Sequence, residues 1–147
     1  TGCPALSYLL DTCLVSELLR ERPSSAVLSW LERQPERDLF LSVLTFGELQ
    51  KGIARLPDNP KRRRLQEWVE RELQQRFAGR ILSIDYEVAT LAGQLQGTSE
   101  SEGFTLPVVD SLIAATAVHN GLTVVSRNEI DMIRCGTPVF NPWDTRE

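Results

Sequence analysis

Four carboxylates, spread over the chain, stand where apolar runs end or begin: Asp11, Glu48, Asp110 and Asp131. Asp11 directly follows Tyr8-Leu9-Leu10, and Glu48 lies in the helical stretch after Leu39 to Val43. Asp110 is embedded in the otherwise apolar segment Leu106 to Ala117, and Asp131 closes the polar cluster Ser126-Arg127-Asn128-Glu129-Ile130-Asp131. Each has an ordinary account: a helix cap for Asp11, a solvated helix face for Glu48, a helix N-terminus for Asp110, loop polarity for Asp131. Yet a carboxylate in an apolar stretch is costly to bury unless something compensates it, and a divalent metal would do so. Four acidic or amide positions from four chain segments, all expected at one sheet edge, favour a site. Oxygen ligands without paired cysteines or a histidine cluster suit Mg²⁺ or Mn²⁺ better than zinc. Such an ion polarises a phosphoryl oxygen and acidifies water, so the chemistry indicated is phosphodiester hydrolysis.

The elements that must position these groups alternate between strand and helix. Tyr8-Leu9-Leu10 ends a buried strand, Leu14 to Arg20 is helical, and Ser24 or Ser25 caps a second helix that ends near Pro35. Leu39 to Val43 is a second strand, and a helix from Thr45 places Phe46, Leu49, Ile53 and Leu56 on one face. After Pro57-Asp58-Asn59-Pro60, the residues Leu65, Trp68, Val69, Leu73 and Phe77 mark a long helix with Gly79 past its end. Ile81, Leu82 and Ile84 give a third strand, Val88 to Leu95 a helix, and Gly97 to Gly103 a polar connection. Pro107 opens a helix through Val118, closed by Asn120-Gly121. Leu122 to Val125 is a fourth strand, and Val139-Phe140 adds a fifth. The expected fold class is α/β: a three-layer domain around a mostly parallel sheet of four or five strands. Sites in such sheets form beyond the strands' carboxyl ends, where the topology changes direction.

Composition narrows the field. At 41% hydrophobic and 24% charged over 147 residues, the chain is suited to one packed core and is not of disordered type. Residues 1–7 are expected to be a tail or first-strand lead-in, and 8–147 a single domain. The run Ala5 to Leu10 has no basic flank and stops at Asp11, so neither a signal peptide nor a membrane span is expected, and the location expected is cytoplasmic. Thr1-Gly2-Cys3-Pro4, without an initiator methionine, reads as a processed or truncated end and is assigned no function. Cys3, Cys13 and Cys135 are expected as reduced thiols. The net charge of −4 disfavours nucleic-acid binding by bulk electrostatics, but a metal-collecting site is itself acidic.

The segments Leu10-Asp11-Thr12-Cys13-Leu14-Val15-Ser16-Glu17-Leu18, Leu41 to Leu49, Val109-Asp110-Ser111-Leu112-Ile113-Ala114-Ala115-Thr116-Ala117 and Ser126-Arg127-Asn128 resemble the successive motifs of PIN-domain ribonucleases, especially the VapC-type toxins and their FitB-like relatives. The ending Pro138 to Trp143 is similar to that of FitB-like chains. The resemblance implies a Mg²⁺- or Mn²⁺-dependent endoribonuclease that is the toxin of a type II toxin–antitoxin system. It also implies a cognate antitoxin as partner, RNA as substrate, tRNA or another structured RNA among the options, and a homodimer. Carried onto this chain, Asp11, Glu48 and Asp110 match the family's metal-binding acids. Thr12 and Ser126 match the hydroxyl residues flanking them. Asp131 is taken as the fourth carboxylate, with Asn128 as a polar neighbour.

Arg127 belongs to the same edge and is placed for an RNA phosphate, although it could pair with a carboxylate instead. Lys61-Arg62-Arg63-Arg64 reads first as a solvated helix start. His119, at the far end of the Asp110 helix, is too distant for acid–base work, and Trp30, Trp68 and Phe77 read as core or interface. Two other functions compete: a non-enzymatic binding or regulatory module, and a phosphotransfer enzyme of another α/β family. The latter is weakened by Cys13, which stands where dehalogenase-like enzymes need a second Asp, and by the absence of a P-loop.

Overall fold

The computed structural model describes residues 6–144; Thr1 to Pro4, Cys3 included, and most of the lead-in assigned above lie outside the described residues. Five strands form the sheet: β1 Tyr8–Leu10, β2 Leu39–Ser42, β3 Ile81–Leu82, β4 Thr123–Val125 and β5 Val139–Phe140. Their order is β3-β2-β1-β4-β5 and every pairing is parallel. The chain builds outward from β1 in one direction, then crosses back to build outward in the other. The switch of direction falls between β1 and β4, which pair from Tyr8↔Thr123 to Leu10↔Val125.

A strand's alternation sends successive side chains to opposite faces, and each strand here is apolar on both. Leu10, Leu39, Leu41 and Val125 join one buried cluster, while Leu9 and Val124 join the other. The first cluster lies under α1 Thr12–Leu18, α2 Ser25–Glu32, α3 Val43–Ala54 and the long helix beginning with α4 Pro60–Glu67. The second lies under α7 Val108–Asn120 and α8 Glu129–Arg134. Helices on both faces of a sheet that is buried on both faces make the three-layer α/β architecture.

Several boundaries differ from the sequence reading. The helix after Pro57 is not uniform: α4 passes through a π-helical stretch, Trp68–Leu73, into α5 Gln74–Arg76. Val69, Leu73 and Phe77 are all buried at a strict four-residue spacing. That spacing drifts around a 3.6-residue helix, and a wider turn keeps the three on the core side. α3 begins at Val43, capped by the Ser42 hydroxyl, which accepts from the Leu44 N–H at 3.1 Å. The third strand stops at Leu82, and Ile84 packs instead with Val88 and Ala92 of α6 Tyr86–Ser101.

The connection expected over Gly97 to Gly103 is mostly helix, because α6 runs through Ser101. Packing on α7 overrides the weak propensity of Gly97, Thr98 and Ser99, and Ser99 is buried. The stop comes at Gly103, whose φ of +94° allows the Gly103 and Phe104 N–H groups to close back on Glu100 and Ser99.

Trp30, on α2, meets Tyr8 edge-on at 5.0 Å and Phe140 at 5.3 Å, tying the first and last strands to one helix. Trp30→Ala is expected to cost about 3–5 kcal/mol, read as a lowered urea midpoint with an unchanged m-value. A loss under ~1 kcal/mol would show that the site collapses freely around the missing ring.

Candidate metal centre

The β1–β4 switch point sets the floor of the site. The Asp11 N–H donates to the Val125 carbonyl at 3.0 Å, and the Ser126 N–H to Phe140 at 3.0 Å, so both residues leave the sheet on fixed backbone. Asp11 caps α1 while Oδ1 accepts from the Thr12 N–H at 2.8 Å. Its Oδ2 accepts from the buried Ser126 hydroxyl at 2.7 Å. The capping account and the site account of Asp11 are therefore the same geometry.

Glu48, exposed on α3, comes to this edge through Thr12, whose hydroxyl donates to Glu48 Oε1 at 2.6 Å and lies 3.2 Å from the buried Thr45 hydroxyl. Asp110 enters from the first turn of α7. Asn128 ties it to Asp131: its Nδ2 donates to Asp110 Oδ2 at 3.0 Å and to Asp131 Oδ2 at 3.2 Å. The Asn128 N–H in turn donates to Ser126 Oγ at 2.9 Å. Asp11, Thr12, Glu48, Asp110, Ser126, Asn128 and Asp131 thus meet at one edge, but Asp131 stands behind Asn128. The cavity of about 520 Å³ is walled by Asp11, Thr12, Glu48, Asp110, Arg127 and Asn128, with Cys13 and Ser16 beside them.

Among the described residues, none of the four carboxylates forms an ion pair with Lys, Arg or His. The crowding shows in Asp110, whose pKa is pushed up to about 6 by burial and by Asp11, Asp131 and Glu48, against the lowering effect of the Asn128 hydrogen bond. Cys135 beneath it is raised by burial and by Asp110 and Asp131. An oxygen donor set with uncompensated negative charge fits a hard divalent cation.

Two other features of the surface do not share that character. Asp85, Glu87 and His119 place ligand atoms within 4.8 Å of one another, but all three are exposed. Asp85 caps α6 through the Val88 N–H at 2.9 Å, and Glu87 pairs with His119 at 3.4 Å, so both acids have structural work. The four carboxylates at the sheet edge converge less tightly, as suits an ion that keeps several waters. A groove of about 610 Å³ runs along α4, where the basic run sits. There Arg63 pairs with Asp58 at 3.6 Å, Arg71 with Glu67 at 3.5 Å, and Arg62 donates to the Leu56 carbonyl at 3.2 Å. Within the run, Arg63 is thus paired and Arg62 tied to backbone at the start of a solvated helix.

Sequence reasoning passed over Cys13, Thr45, Glu17 and Trp143. Cys13 follows Asp11 by two residues and its Sγ lies 3.7 Å from both Asp11 Oδ2 and Ser126 Oγ; burial and Asp11 push its thiol up. Thr45 could have been found as one of the polar side chains on the inner end of an apolar helix. Glu17 is 4% exposed, and its pKa is lowered by the Ser24 N–H and, against burial, by Trp143 and Arg20. An acid among the apolar residues of α1 was its signal, and the partner 126 positions away carried none.

A family model described as "PIN domain" matches residues 8–134. The toxin FitB of Neisseria gonorrhoeae is 38% identical over 135 residues, covering 92% of this chain and 97% of that protein. The VapC ribonuclease Y4jK of Sinorhizobium fredii is 34% identical over 136 residues, covering 92% and 97%. The solved structure of FitAB bound to IR36 DNA fragment contains a chain that superposes with a TM-score of 0.89 at 35% identity, covering 95% of this chain and 98% of that one.

Proposed function

The chain belongs to the PIN-domain family, and we propose that it is the toxin of a toxin–antitoxin pair, a metal-dependent endoribonuclease working at the β1–β4 edge. The observation that carries this reading is the carboxylate cluster, in which burial and the charges of Asp11, Asp131 and Glu48 lift Asp110 to about 6. A toxin and a ribonuclease among its relatives support it.

Asp11 and Asp110 would hold the cation, Mg²⁺ or Mn²⁺, with Glu48 and Asp131 completing or orienting its water shell. When bound there, the ion would supply polarisation of a phosphoryl oxygen and acidification of water. The rest falls to the chain. Ser126 and the Thr12 N–H fix the Asp11 carboxylate from both sides, and the Thr12 hydroxyl aims Glu48 into the cavity. Asn128 holds Asp110 and Asp131 in one orientation despite their repulsion. Preorganised groups of this kind contribute by not having to reorganise as charge develops. His119, exposed and paired with Glu87, takes no part.

The partners that go with this reading are RNA as substrate, a cognate antitoxin and a second copy of the chain, acting in the cytoplasm; residues 8–147 act as one domain. Among the described residues, no helix is long and apolar enough to cross a membrane. The test is cleavage of a mixed tRNA and structured-RNA pool by purified, partner-free protein with Mg²⁺ or Mn²⁺ and with chelator. Cuts that need metal and leave 5′-phosphate and 3′-hydroxyl ends are expected. Cyclic-phosphate ends, or cutting that survives chelation, would overturn the metal-hydrolysis reading, and a folded protein that cuts nothing would favour a binding module.

A further inference from the structure

Among the described residues, Arg127 is the one cation in the wall of the acidic cavity, and its side chain is braced rather than free. The guanidinium carbon lies 4.5 Å from the centroid of the Trp143 ring. Arg127 Nη2 is 3.7 Å from Glu17 Oε1. The same Glu17 oxygen accepts from Trp143 Nε1 at 3.1 Å, while Oε2 accepts from the Ser24 N–H at 2.9 Å. The brace is thus anchored at three remote points of the chain: α1, the start of α2, and the turn at Pro142–Asp144.

Charge and geometry both leave Arg127 available. Glu17 carries one negative charge and faces two guanidiniums, Arg20 Nη1 at 3.4 Å being the second, so the trio keeps one net positive charge. The Arg127 side chain is 57% exposed while Glu17 is 4% exposed. A contact of 3.7 Å on the wet side of such a pair neutralises little, and it engages one edge of a fork with five N–H donors. The ring holds the guanidinium within cation–π distance, and planar N–H forks match phosphate oxygens bidentately.

We propose that Glu17 and Trp143 are positioning residues that hold Arg127 at the rim of the acidic cavity to grip a backbone phosphate of RNA beside the bond to be cut. This rests on the nuclease reading for the identity of the substrate, and it adds how an acidic protein binds a polyanion next to four carboxylates. The cation that binds RNA is paid out on one rigid fork, not on a basic surface.

The experiment measures the affinity of the full chain for a fluorescein-labelled single-stranded oligoribonucleotide by anisotropy, with Ca²⁺ replacing Mg²⁺, across a salt series. Arg127→Gln is expected to weaken binding about 10-fold and to flatten the slope of log K against log salt by about 0.7, the loss of one phosphate contact. Arg127→Lys should keep the slope but recover only part of the affinity, because an ammonium has no fork. Trp143→Leu should weaken binding about 5-fold in the wild-type background and not at all beside Arg127→Gln, since a positioning effect has nothing left to position. Trp143→Phe, which keeps one aromatic ring and loses the fused pyrrole with its Nε1 donor, replaces Trp143→Leu if that protein melts below the assay temperature, with the same dependence on Arg127 expected.

Unchanged affinity and slope in Arg127→Gln would overturn the proposal, as would wild-type protein with no measurable RNA affinity. So would Trp143→Leu weakening binding equally with and without Arg127, which would make the brace a purely structural tie. Failure of the nuclease reading looks different: RNA binding would follow the pattern above while no metal produced cleavage.

Discussion

Asp110→Asn is expected to abolish RNA cleavage and, at the same time, to make the metal-free protein more stable at pH 7. The loss of activity should be about 10²- to 10³-fold or more, the scale on which removal of a preorganised electrostatic group acts. The gain in stability follows from the crowding: burial and Asp11, Asp131 and Glu48 all disfavour the charge on Asp110. A pKa raised from 3.8 to about 6, discounted for solvent screening of a half-exposed group, is worth about 1 kcal/mol, or about 3 °C in melting temperature. The amide keeps the acceptor that Asn128 needs. Cleavage assays beside thermal melts in chelator check both halves. A variant that melts lower than wild type, or still cuts, would remove Asp110 from the role assigned to it.

The second large effect is a pH dependence that a divalent cation should reverse. Below about pH 3.8 the Asp110 carboxyl is protonated in both folded and unfolded chains and costs nothing. Between 3.8 and about 6 the unfolded chain ionises while the folded one keeps its proton, so stability falls as pH rises through that window. Above about 6 the loss is complete. Glu17, whose pKa is lowered, acts in the opposite sense, its contribution being lost as pH falls through its folded value. The difference between wild type and Asp110→Asn therefore isolates the Asp110 part. Mn²⁺ needs the ionised form, and at 100 times its dissociation constant a ligand adds about 2.7 kcal/mol, or about 8 °C here. The Mn²⁺ shift should be large at pH 7.5 and small at pH 5. Equal shifts at the two values would mean that Asp110 does not bind the ion.

The architecture was legible because the strands are short, apolar on both faces and separated by helices with ordinary caps. Leu9 and Leu10 serve opposite faces of the sheet, and a run with no polar alternation is what such a strand must look like. The site was legible to the same depth, since a carboxylate after an apolar strand has one direction in which to point. What could not be read were the terms set by tertiary contact. The end of α6 was placed at Leu95 when packing on α7 carries it through Ser101, and the π-helical stretch depends on where the core lies against Val69, Leu73 and Phe77. Asn128 and Asp131 could be named but not arranged, because which of them fronts the cavity depends on the turn entering α8. The Glu17–Trp143 contact spans 126 positions and leaves no local pattern.

The position of β1 at the centre of a wholly parallel sheet also imposes a timetable on synthesis. Its two neighbours, β2 and β4, begin at Leu39 and Thr123, so one flank of the first strand waits for nearly the whole chain. The bond between Ser126 and Asp11 joins residues 115 apart, which a ribosome adding roughly 5–20 residues per second separates by roughly 6–23 s. Through most of that interval Asp11 waits without Asp110, and through all of it without Asn128 or the fork of Arg127. A chain of this topology therefore has no assembled carboxylate edge until its translation is nearly complete.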